Sequence, residues 1–147
     1  MAGEDKKAIV RRVYDELFNQ GKMEVVEELF AGDFITHDPN PLPNQPLHGH
    51  EAVRWYISFV RSAFPDLRVA VEDLLEEGDR VAVRFTTSGT QLGEFVYVAP
   101  THKKVHVMGI DLLRFEDGKI AAHWGGWNRA ELMVQLGIFP GPEGTQF

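Results

Sequence analysis

At Pro65 the spacing of apolar residues changes, and that change constrains the fold of this chain more than any other feature of its sequence. Before it, apolar side chains recur every three to four residues. Ile9, Val13 and Leu17, joined by Val10, Tyr14 and Phe18, predict a helix over Glu4 to Gln20 that stops at Gly21. Met23, Val26, Leu29 and Phe30 predict a second, short helix. Val53, Tyr56, Ile57, Val60, Ala63 and Phe64 form a wide stripe that predicts a third from about His50. Pro65 ends it, because the residue before proline avoids the helical region. Between the second and third helices, Pro39, Pro41, Pro43 and Pro46 predict a stiff irregular loop from Asp38 to Gly49.

After Pro65 the period is two. Leu67, Val69 and Val71 alternate with polar residues up to Glu77, Gly78-Asp79 reads as a turn, and Val81, Val83 and Phe85 alternate next. A third run spans Gln91 to Val98, and a long strand fits Lys104 to Phe115. Asp117-Gly118 is a strong hairpin signal, followed by a last strand from Lys119 to Trp127. A short helix from Ala130 to Leu136 closes at Gly137. Helices followed by a meander of antiparallel strands predict an α+β domain. A curved antiparallel sheet wrapped around three N-terminal helices would enclose a cone-shaped internal pocket. The 147 residues are expected to form one domain over 1–147.

Composition narrows the function classes. Fifteen Lys and Arg against 22 Asp and Glu give a formal charge of −7, which disfavours nucleic acid and anionic membrane surfaces as partners. No apolar run approaches the roughly 18 residues a spanning helix needs. The absence of cysteine removes thiol catalysis, disulfides and iron–sulfur clusters. MAGEDKKAIV lacks the layout of a signal peptide, so a cytoplasmic location is expected. His48, His50, His102 and His106 do not form a compact ligand set, and Gly89-Thr90-Gln91-Leu92-Gly93 is no phosphate cradle. Neither a metal nor any other cofactor is expected.

Five segments carry a resemblance. Ala63-Phe64-Pro65-Asp66-Leu67, Glu77-Gly78-Asp79-Arg80-Val81, Gly109-Ile110-Asp111, Asp117-Gly118-Lys119-Ile120 and Gln135-Leu136-Gly137 resemble, in order and from Arg11 to Gly137, the SnoaL-like polyketide cyclase (ester cyclase) family. The resemblance implies the nuclear-transport-factor-2-like cone, shared with ketosteroid isomerase and limonene epoxide hydrolase. It also implies an intramolecular aldol closure without cofactor, driven by a base beside a carbonyl and donors for the enolate oxygen. The cyclases carry an acid/base carboxylate on the last strand. Counted back without gaps from Gln135-Leu136-Gly137, that position holds Gly125, with Gly126 beside it. In many relatives a His follows the Gly-Thr pair, where this chain has Gln91.

Four residues are the catalytic candidates. Asp111 lies among Val107, Met108, Ile110, Leu112 and Leu113. Burial there would raise its pKa toward that of a general base. The other reading is a structural carboxylate paired with Arg84 or His37. Arg84, mid-strand beside Ala82 and Thr86, is either a cavity cation that orients an anionic group or a solvated strand residue. His37 opens the Pro-rich loop and resembles a His that many relatives carry there. It reads as a shuttle or oxyanion donor, or as a loop cap. His123 shares the parity of Ala121, Gly125 and Trp127, so it faces the pocket if Gly125 does, barring a bulge. Asn128, where many relatives have Asp, can orient a carbonyl but is no base. Phe18, Trp55, Phe59 and Trp127 are expected as pocket walls.

Two function classes follow. One is proton-transfer chemistry of cyclase, isomerase or dehydratase type on a hydrophobic carbonyl compound or ester, with epoxide hydrolysis ranked below it. The other is a non-catalytic protein that binds a small hydrophobic molecule, which the glycine at position 125 favours. A homodimer or higher homo-oligomer is expected from Val81, Val83 and Phe85, read as an apolar outer face.

Overall fold

The computed structural model describes residues 5–140. The Asp5 side chain accepts the Lys7 N–H at 3.2 Å and caps α1, Lys6–Arg12. A helix start at Glu4 lies outside the described residues. The helix continues as a π-helical turn, Val13–Phe18, in which the Asn19 N–H reaches the Tyr14 carbonyl. Such turns are rare and concentrate at functional sites. Here the turn carries Tyr14 inward. A 3₁₀ turn, Met23–Val25, leads into α2, Val26–Leu29.

Phe30 then starts β1, Phe30–His37, a strand that the helical stripe and the proline run concealed. After the Pro-rich loop come α3, Gly49–Ala63, and four strands. These are β2, Arg68–Glu77; β3, Arg80–Thr90; β4, Lys104–Glu116; and β5, Lys119–Trp127. A short helix, α4, Arg129–Gln135, follows. The sheet order is β1-β5-β4-β3-β2, so β2 to β5 form the expected antiparallel meander. β1 adds to its edge in parallel with β5, with Thr36 opposite His123. The α+β class and the curved open sheet match the sequence expectation.

Two expectations are corrected. Val81, Val83 and Phe85 are not an outer face: each is at most 2% exposed, inside the core with Val107, Leu113 and Phe115. The inward side of this sheet is mostly a packed core, so the apolar parity belongs inside. The outward parity carries Arg84 and the exposed Met108 and Ile110. The run from Gln91 to Val98 is a loop, not a strand, with one bridge between Phe95 and Val98.

Gln91 explains that loop. It is fully buried, and its amide donates to the carbonyls of Gly93, Val98 and Ala99 and accepts from Thr101 N–H and Oγ1. Gly93 lets the loop touch α3, since a Cβ there would lie 2.3 Å from the Ser62 carbonyl. The loop thereby seats Phe95 against Phe59, Phe64 and Trp127. Gln91→Leu strips partners from several buried groups and is expected to cost about 2–3 kcal/mol in urea unfolding. A change below about 0.5 kcal/mol would show that the loop holds itself.

Among the described residues no helix is long and apolar enough to cross a membrane.

Candidate active site

A bulge between Arg114 and Phe115 resets β5, placing His123, Gly125 and Trp127 opposite Leu113, Asp111 and Gly109. Odd-numbered residues of both strands therefore face the helices from His123 onward. They meet the inward side of the π-helical turn and of α3 around a cavity of about 90 Å³. Val13, Leu17, Phe34, Val53 and Ile57 supply much of its apolar lining.

One wall is polar. Asp111, 7% exposed, accepts a hydrogen bond from the Tyr14 hydroxyl on Oδ2. Its Oδ1 lies 2.6 Å from His123 Nε2. The Nδ1 of His123 lies 2.7 Å from Thr36 Oγ1. The chain Tyr14–Asp111–His123–Thr36 joins α1's π turn, β4, β5 and β1, and all four residues line the cavity. A charge buried among apolar side chains is costly unless it is hydrogen-bonded, and here both carboxylate oxygens are.

The electrostatics fix the tautomer. Asp111 accepts from Tyr14, so its other oxygen requires a donor, and His123 Nε2 carries hydrogen. The proton that comes and goes is therefore on Nδ1, facing Thr36. Burial pulls His123 downward, but the hydrogen bond and charge of Asp111, aided by Asp38, outweigh it and hold the imidazole above its ordinary 6.5. Burial and the Asp111 carboxylate push Tyr14 well above the usual phenol range. It stays a neutral donor.

Tyr56 stands across the cavity on α3. Burial first, then the charges of Asp38 and Asp111, raise its hydroxyl above the ordinary range, and Arg129 partly opposes them. Its hydroxyl has no hydrogen-bond partner among the described residues.

A second chamber of about 320 Å³ opens outward and shares Asp38, Tyr56, Gly125, Gly126 and Trp127 with the first. Its rim is tied by Arg129, which donates to the Asn40 carbonyl at 2.8 Å and so links α4 to the Pro-rich loop.

The structure brings together only part of the candidate set. Asp111 and His123 are in contact, and Phe18 and Trp127 line the inner cavity. His37 does not reach it: strand alternation turns it outward, where it stacks on Trp124 at 4.8 Å. Arg84 is likewise outward on β3, with Nε 2.7 Å from Asp73 Oδ2, so it pairs with neither Asp111 nor the cavity. Trp55 and Phe59 stack on each other one helical step away from Val53 and Tyr56 and line neither chamber. Asn128 lines only the outer chamber, and its Oδ1 caps α4 by accepting the Glu131 N–H. Among the described residues no cluster of His, Asp and Glu could hold a metal. Tyr14, Thr36 and Tyr56 were not among the sequence candidates as polar groups. The available signal for Tyr14 was a hydroxyl inside an apolar stripe, which needs a partner once buried.

The SnoaL-like polyketide cyclase family profile matches residues 8–136. The aklanonic acid methyl ester cyclase AcmA of Streptomyces galilaeus is 32% identical over 117 residues, covering 79% of each chain. The aklanonic acid methyl ester cyclase DnrD of Streptomyces peucetius is 30% identical, covering 92% of this chain and 94% of its own. The crystal structure of IdmH from Streptomyces antibioticus superposes with a TM-score of 0.78 at 29% identity, over 91% of this chain and 99% of that one.

Proposed function

Because the chain belongs to the SnoaL-like polyketide cyclase family, we propose that it is a cofactor-independent enzyme that removes a proton beside a carbonyl in a hydrophobic ketone or ester and so drives a cyclase- or isomerase-type step. The observation that carries this reading is the buried chain Tyr14–Asp111–His123–Thr36 at the wall of an apolar cavity. A cavity serving only to bind an apolar ligand gains nothing from a buried carboxylate and imidazole. Epoxide hydrolysis calls for an Arg between two acids, and Arg84 is on the outer face.

The roles follow from the tautomer. Asp111 fixes Nε2–H and supplies the charge that makes His123 the stronger base. Nδ1 takes the α-proton as substrate displaces the Thr36 hydroxyl. The electron pair moves onto the carbonyl oxygen, which accepts a hydrogen bond from the unpartnered Tyr56 hydroxyl. The enolate carbon then attacks a second carbonyl of the same molecule, and the alkoxide that forms takes the proton back from His123 Nδ1, which restores the base. The inner chamber, at about 90 Å³, is smaller than the roughly 300 Å³ a drug-sized ligand fills, so it holds the reacting end while the outer chamber holds the rest.

The test is NMR-monitored deuterium exchange at the α-carbon of aromatic β-keto esters. Wild type is expected to accelerate exchange, with a rate that rises with pH through an apparent pKa above 6.5, because Nδ1 accepts only when His123 is neutral. His123→Gln is expected to lose about 10²–10⁴-fold. A panel member that binds without accelerated exchange would favour the non-catalytic reading.

A further inference from the structure

Thr36 has a geometry that proton abstraction does not require. It sits on β1 with its backbone N–H bound to the Leu47 carbonyl at 3.0 Å, in a strand paired with β5. β-branching limits its side-chain rotamers, so the hydroxyl is held in direction. Oγ1 is 2.7 Å from the one imidazole nitrogen that can accept a proton, and the opposite nitrogen is held at 2.6 Å by a buried carboxylate. Hydroxyl, base and orienting acid stand in the order that activates an oxygen nucleophile. The hydroxyl lines the inner cavity, as does Tyr56, whose free phenol is a donor for a developing oxyanion.

We propose that Thr36 is a nucleophile and that the chain carries a second activity, acyl transfer from short-chain esters to Thr36 followed by hydrolysis. Thr36 Oγ1 bonds to the ester carbonyl carbon while its proton passes to His123 Nδ1. The tetrahedral intermediate collapses, the carbon–alkoxide bond breaks, and Nδ1 returns the proton to the leaving alcohol. Water, deprotonated by the same nitrogen, then cleaves the acyl-threonine to a carboxylic acid and restores the hydroxyl. An inner chamber of about 90 Å³ selects acetyl or butyryl groups over polycyclic acids.

The experiment treats the full chain with p-nitrophenyl acetate and butyrate, follows p-nitrophenolate release, and maps the acyl adduct by mass spectrometry. Wild type is expected to give a burst and an acyl group on the peptide that holds Thr36. Thr36→Val should lose both, and Thr36→Ser, which keeps the hydroxyl, should restore the burst. α-Proton exchange on an aromatic β-keto ester is followed in the same wild-type preparation, so the two activities are read separately. Exchange absent from wild type while the adduct forms would sink the cyclase-type reading and leave this one standing. A burst unchanged in Thr36→Val, or an adduct only on other residues, would overturn the nucleophile assignment.

Discussion

Asp111→Asn is expected to lower α-proton exchange by about 10²–10⁴-fold, equivalent to about 2.7–5.5 kcal/mol of barrier, while ligand affinity stays near wild type. The substitution keeps the shape of the side chain and removes its charge. An amide can place its NH₂ toward either His123 or Tyr14, and each choice breaks something. Facing His123, it donates to Nε2, drives the imidazole hydrogen to Nδ1, and removes the lone pair that accepts the proton. Facing Tyr14, it meets another donor, because Tyr14 donates to Oδ2 in wild type. The charge that holds His123 above its ordinary value is gone in both cases, and burial, which pulls the other way, is left to act. The low-pH limb of any residual exchange should therefore move to lower pH. That shift separates this role from a merely structural one, which would reduce the rate without moving the limb. Equal exchange by wild type and Asp111→Asn would remove Asp111 from the chemistry.

The sequence made the fold legible where its signals were local. The change of period at Pro65, the Asp117-Gly118 hairpin and the prolines at 39 to 46 set element order and most boundaries. β1 stayed hidden because its pairing with β5 joins residues far apart in the chain, and its first residue also completes a helical stripe. Parity worked on β5 from His123 to Trp127, where the bulge precedes the residues that matter. It failed on β3, where the buried side of the strand is core and the polar side is solvent, so Arg84 faces Asp73 rather than a ligand. Asp111 was conspicuous as a carboxylate among apolar neighbours. Its partners were not, since Tyr14 arrives from a π turn and Thr36 from the unread strand. Local patterns foretell which side chains face inward along one element. Which hydroxyl meets which carboxylate depends on register between elements, and that is set by the whole sheet.

Gly125→Ala is expected to destabilise the fold by about 3–5 kcal/mol, against about 1–2 kcal/mol for Gly126→Ala. Both glycines adopt backbone conformations that side-chain-bearing residues rarely take, with φ of +119° and +154°. They differ in what surrounds them. A Cβ at Gly126 meets nothing within 4 Å, whereas one at Gly125 would lie 2.1 Å from the Ile110 carbonyl oxygen and 3.0 Å from the Asp111 Cα. Those atoms are backbone of β4, so the strand pair itself must shift, and it must shift at the residue that holds His123. Gly125→Ala should thus lose α-proton exchange even in the fraction that folds. The same contact bears on the family's acid position, which gap-free counting places here. Gly125→Asp meets the identical clash before its carboxylate reaches the cavity, so it should not raise exchange above wild type. Asp111 stands directly across the ladder from Gly125, so a buried carboxylate already lies beside that position. The check is urea unfolding of the two alanine variants side by side, with exchange measured on the folded fraction. Equal costs at the two positions would mean that β4 yields without resistance, and the backbone would then be no obstacle to a carboxylate at position 125.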